Sequence, residues 1–94
     1  MITIKEFENY VSRKNQILPF NEQTLYKFPN NYGASVILGH FTYGLELAVI
    51  SFTGDDWDLD YSTPITNNVI GHLEEDSLKR VLEAIYYLPP KRER

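Results

Sequence analysis

The sequence predicts an α+β domain in the order α-β-β-β-α, a three-stranded antiparallel meander with two main helices packed on one face. Three observations point there: apolar stripes at helical spacing near both ends, three β-rich runs between residues 32 and 62, and short glycine-bearing connections between those runs. Ninety-four residues suit a single domain, residues 1–94. An apolar fraction of 43%, with one tryptophan, seven tyrosines and five phenylalanines, supplies one core.

The N-terminal helix is predicted within residues 1–15. Thr3-Ile4-Lys5-Glu6 fits a capping box and Ile2 with Phe7 a hydrophobic staple, so the helix should begin at Ile4. Phe7, Tyr10, Val11 and Lys14 recur at three- and four-residue spacing up to Asn15. Residues 16–31 contain Pro19, Pro29 and scattered aromatics that break both periodicities, which predicts an irregular connector laid on the sheet.

The sheet is predicted over residues 32–62. Residues 32–41 are β-rich, and Leu45–Thr53 is apolar on both faces, as a central strand covered on one side by helices and on the other by the connector or a partner chain would be. Thr42-Tyr43-Gly44 and Thr53-Gly54-Asp55-Asp56 each offer a glycine for a hairpin. The third strand, residues 57–61, alternates Trp57, Leu59 and Tyr61 with Asp58 and Asp60, so the aspartates should face solvent. Pro64 closes this region.

Residues 66–88 form the predicted C-terminal helical region. Residues 66–71 read as a capped helical turn ended by Gly71, and a helix over residues 74–88 carries Leu78, Val81, Leu82, Ile85 and Leu88 on one stripe. Glu74, Glu75 and Asp76 lie at the positive end of its dipole. Tyr86 and Tyr87 straddle the stripe, so one should pack and the other be exposed. Pro89-Pro90 ends the helix, leaving residues 89–94 as a tail.

Charge and cysteine usage exclude several function classes. Without cysteine there is no disulfide framework, zinc ribbon or thiol nucleophile, and a reducing cytoplasm is the expected location. The acidic start lacks the pattern of a secretory signal, and no apolar run reaches the roughly 20 residues of a membrane helix, so no membrane partner is expected. The net charge of −4 argues against direct nucleic-acid binding. Residues 28–76 contain acids and no Lys or Arg, while the flanking stretches are mildly basic.

The candidate binding residues are Asp55, Asp56, Asp58 and Asp60. Carboxylates at alternate strand positions stand about 6.6–7 Å apart, close to the spacing of phosphates along one nucleic-acid strand, so such a face suits a basic, nucleic-acid-binding protein. The competing explanation is that charges on an outer strand block edge-to-edge aggregation. Asp56, Asp58 and Asp60 also resemble the start of an EF-hand loop, but Tyr61 stands where its glycine belongs and Asn67 where its closing glutamate belongs. No metal and no cofactor is therefore expected. His40 and His72 lack a serine or acid at relay spacing, and no P-loop, GxSxG, HExxH or GxGxxG pattern occurs, so no catalytic residue is assigned and an enzyme is not expected.

Residues 31–37 (Asn31-Tyr32-Gly33-Ala34-Ser35-Val36-Ile37), followed by Tyr43-Gly44-x-Glu46-Leu47-Ala48-Val49-Ile50 and Asp60-Tyr61-Ser62-Thr63-Pro64-Ile65-Thr66-x-x-Val69-Ile70-Gly71-x-Leu73, resemble small uncharacterised proteins of bacteriophages and prophages. The resemblance spans about residues 31–88 and implies an origin and a size class, with no catalytic signature. It raises the expectation of an accessory protein in the host cytoplasm that binds a host or phage protein, such as an inhibitor of a host nucleic-acid-binding or defence system. The alternatives are a structural homodimer through the sheet and a divalent-metal-dependent enzyme using Asp56, Asp58 and Asp60.

Overall fold

The computed structural model describes residues 4–18, 21–38, 45–65 and 70–90. Among them a 6-stranded antiparallel sheet dominates: β1 (Val11–Leu18), β2 (Asn21–Lys27), β3 (Tyr32–Leu38), β4 (Leu45–Thr53), β5 (Asp56–Leu59) and β6 (Ile70–Leu73). A short 3-10 helix, Lys5–Tyr10, precedes the sheet, and one α-helix, α1 (Glu75–Tyr86), follows it. The strands run in the order β1-β2-β3-β4-β5 and curl into a half-barrel, while β6 pairs with β4 alongside β5. The expected α-β-β-β-α order, with three strands and two main helices, is overturned.

The first correction lies at the N-terminus. Thr3 and Ile2 are outside the described residues, Ile4 precedes the helix with extended backbone and no side-chain cap, and the chain becomes β1 at Val11. Phe7, Tyr10 and Val11 of the supposed stripe pack on the core, but the three-residue spacing of Phe7 and Tyr10 suits a 3-10 turn as well as an α-helix. Lys14 is exposed. Residues 11–18 take strand geometry because β2 supplies antiparallel partners from Tyr26 to Asn21.

The expected connector at 16–31 is the second correction. Its centre is β2, bonded on both sides, to β1 and to β3. Pro29 sits in the turn after the strand, where a missing N–H costs no ladder bond. Thr24 and Tyr26 face α1 while Gln23, Leu25 and Lys27 face the other way, so polar residues occur on both faces and hide the alternation.

The β3-β4-β5 pairing follows the expected order, with Gly54 at φ 63 in the second hairpin. The first expected hairpin, at 42–44, lies outside the described residues. The expected helical turn at 66–71 is corrected in part: residues 66–69 are outside the described residues, and Ile70 and Gly71 belong to β6, which occupies the part of the β4 edge left open beyond β5. The C-terminal helix keeps its stripe but ends at Tyr86 rather than residue 88, with Leu78, Leu82 and Ile85 fully buried, Val81 partly so, and Leu88 partly buried just beyond the helix. Each such burial contributes about 1.5–3 kcal/mol. Tyr86 packs against the core and Tyr87 is exposed.

α1 covers one face of the sheet, where Leu45, Leu47 and Val49 of β4 meet Ala34 and Val36 of β3 and the helix stripe. On the opposite face Leu25, Ile50 and Phe52 are buried with Trp57 packed against them, and no second layer covers them among the described residues. Curling of the sheet buries this second cluster, which explains why β4 is apolar on both faces.

Tyr26 is fully buried, and its hydroxyl accepts the Ile4 N–H at 3.4 Å. Burial pushes its phenol above the ordinary value of 10.0, against a smaller opposing effect of that hydrogen bond. A raised folded-state value means that the contribution is whole below the unfolded value and is lost as pH climbs above it. The melting temperature should therefore fall above about pH 10, and Tyr26→Phe should make that fall shallower; an identical alkaline slope in the variant would refute the assignment.

Candidate functional site

The β4–β5 hairpin carries most of the sequence-predicted site. Thr53 pairs with Asp56 across a two-residue turn, Gly54-Asp55, whose positive φ only glycine adopts without strain. Asp55 stands fully exposed at the tip. Asp56 and Asp58 are exposed on β5, opposite Thr53 and Ser51. Leu59 (50% exposed) and Tyr61 (42%) follow them, contrary to the expectation that both would turn inward with Trp57.

Asp60 does not join this surface. It lies just beyond β5, only 5% exposed, with its N–H donated to the Val49 carbonyl at 2.8 Å. Its Oδ1 accepts the Ser62 N–H at 2.9 Å and the Ser62 hydroxyl. The carboxylate thus shapes the turn that leaves the strand. Alternation had assigned it to solvent, but the face shared by Asp58 and Asp60 is the helix-bearing one, open at the hairpin end and covered near Asp60. Among the described residues no three acidic or histidine side chains converge to hold a metal ion. His40 lies outside the described residues, and His72 is in β6.

Lys27 was missed because the base-free stretch begins one residue after it. Its position across from Gly33, in the row that continues to Ile50, lets it reach over the glycine toward the β4–β5 hairpin. Its ammonium donates to the Gly54 carbonyl at 3.0 Å, stands 3.7 Å from Asp55 Oδ1, and lies 5.1 Å from the centroid of the Phe52 ring. The ion pair is solvent-exposed and adds little stability. Its consequence is electrostatic: Asp55 is neutralised in space, although no base lies near it in the sequence. Recognising residues 21–27 as a strand would have placed Lys27 beside the hairpin.

Curling of the sheet brings β1 and β5 to opposite rims of a hollow of about 230 Å³, lined by Ser12 and Arg13, by Leu25 and Lys27, and by Phe52, Asp55 and Trp57. Trp57 of β5 faces this hollow while Asp56 and Asp58 face away, so the hairpin presents two different surfaces. A second, shallower depression of about 300 Å³ lies at the end of α1 among Pro29, Asn30, Tyr86, Tyr87, Leu88 and Pro90. None of the helices among the described residues is long and apolar enough to cross a membrane. No protein-family model, curated protein or solved structure matches the chain.

Proposed function

We propose that the protein works without catalysis, as an accessory factor that binds a basic host or phage protein along the outer edge of β5. The supporting observation is that, among the described residues, β5 pairs only with β4, and that exposed Asp56, Asp58 and Leu59 on it are followed by exposed Tyr61. An open edge supplies unpaired backbone donors and acceptors, the carboxylates select Lys- or Arg-bearing strands, and the apolar side chains give contact area. Asp60 is left out of the binding set because it is buried and bonded within its own turn. A partner from a nucleic-acid-binding or defence system fits the acidic character of the edge and the resemblance to phage proteins.

The alternative of a homodimer through this edge is disfavoured on charge. Antiparallel pairing of β5 with a second β5 sets aspartates opposite or diagonal to aspartates, and like charges there are destabilising. The test is capture from a bacterial host lysate with wild-type and Asp56→Asn/Asp58→Asn bait, followed by association kinetics with the purified captured protein. The double variant should retain its melting temperature and associate on the order of tenfold more slowly at low salt, with a flatter salt dependence. Equal rates at low and high salt would assign the aspartates to solubility alone.

A further inference from the structure

We propose that the hollow between β1 and β5 is a binding site for a small aromatic carboxylate, a single ring bearing one negative charge. Its accessible surface is mostly polar, and the half-buried Trp57 is the aromatic side chain open to it, since Leu25 and Phe52 are almost fully buried beneath. A flat ring can stack or pack edge-on against the Trp57 indole. The polar groups are cationic in excess, since Arg13 and Lys27 stand against Asp55 alone.

The two cations are in different states. Lys27 has one contact to the Gly54 carbonyl and one to Asp55, so one of its three ammonium N–H groups remains for a ligand. Arg13 has no hydrogen-bond or ion-pair partner among the described residues, and its planar fork matches a carboxylate bidentately. The formal charge of the lining is thus matched by one negative charge. Asp56 and Asp58 face away from the hollow, so Asp55 is the carboxylate of this hairpin that a ligand there meets. Size gives the third constraint, because about 230 Å³ is below the ~300–1,000 Å³ of pockets for drug-sized ligands and suits one substituted ring.

The only tryptophan of the chain lines the hollow, so its indole N–H resonance reports on occupancy directly. Benzoate, benzamide and acetate should be titrated separately into the isotope-labelled full chain. Benzoate is expected to shift the Trp57 indole and the backbone amides of Arg13 and Lys27 saturably, with half-saturation at roughly millimolar concentration. Uncharged benzamide and ringless acetate should bind at least about tenfold more weakly. Arg13→Gln, an exposed change, should weaken benzoate about tenfold while leaving the rest of the spectrum and the response to benzamide unchanged. Equal binding of benzamide and benzoate, undiminished benzoate binding by Arg13→Gln, or no saturable shift at tens of millimolar (roughly ten times the expected constant) would each overturn the proposal. Asp56 and Asp58 are untouched throughout, so the result is independent of the edge-binding reading.

Discussion

Replacing Gly33 by alanine is expected to cost at least ~3 kcal/mol, the upper end of overpacking penalties, and to leave little of the marginal stability of a small domain. A β-carbon at this position would stand 1.9 Å from the Tyr26 carbonyl oxygen and 2.8 Å from Cε2 of Phe52. The first atom belongs to the β2 backbone and cannot rotate away. The Phe52 ring is held between the sheet and the Lys27 ammonium. Relief therefore requires β2 and β3 to separate where Lys27 pairs with Gly33, at the row on which the curled face closes. Gly54→Ala is the informative contrast, because Gly54 has φ 63 but open space around it and should cost only about 1 kcal/mol. Urea unfolding of both variants checks the pair, and a Gly33→Ala protein within ~1 kcal/mol of wild type would show that the sheet does not depend on this close approach.

Asn30→Ala should produce the second large loss, about 2–4 kcal/mol, although the residue lies in a turn. Asn30 is 7% exposed, and its Nδ2 donates to the carbonyls of Ile85, Tyr86 and Leu88 at 2.8, 3.1 and 3.1 Å. Its Oδ1 accepts the Tyr32 N–H at 3.1 Å. The two amide hydrogens thus serve three carbonyls at and just beyond the end of α1, of which that of Ile85 also accepts the Leu88 N–H, and tie the helix to the β2–β3 turn. Alanine removes all of these side-chain bonds in a partly buried place. Asn30→Asp keeps the acceptor for Tyr32 but turns an oxygen toward the helix carbonyls, so it should not restore stability. Amide exchange should accelerate most in the last turn of α1, and a variant with wild-type protection there would remove Asn30 as the anchor.

Legibility of the site followed legibility of the strands. Asp55, Asp56 and Asp58 were findable because the turn glycine and the β5 alternation are local signals. Arg13 and Lys27 were not, because each matters only through neighbours on other strands. Asp60 was misplaced for a related reason: alternation identifies a face, but what covers that face depends on distant chain.

The sequence by itself determined α1, β4 and the β4–β5 turn. Leu78, Leu82 and Ile85 repeat at helical spacing, the apolar run of β4 shows a strand buried on both sides, and Gly54 supplies the positive φ of the hairpin. Only the tertiary structure decided β1, β2 and β6. Ser12, Arg13 and Lys14 are exposed on an edge strand, and Thr24 is buried beside polar Gln23, so neither stretch has a clean apolar period. Their conformation comes from backbone hydrogen bonds to partners elsewhere in the chain, and β6 depends on an edge more than twenty residues earlier. Side-chain periodicity records which face meets the core; it carries no record of which strand completes the ladder.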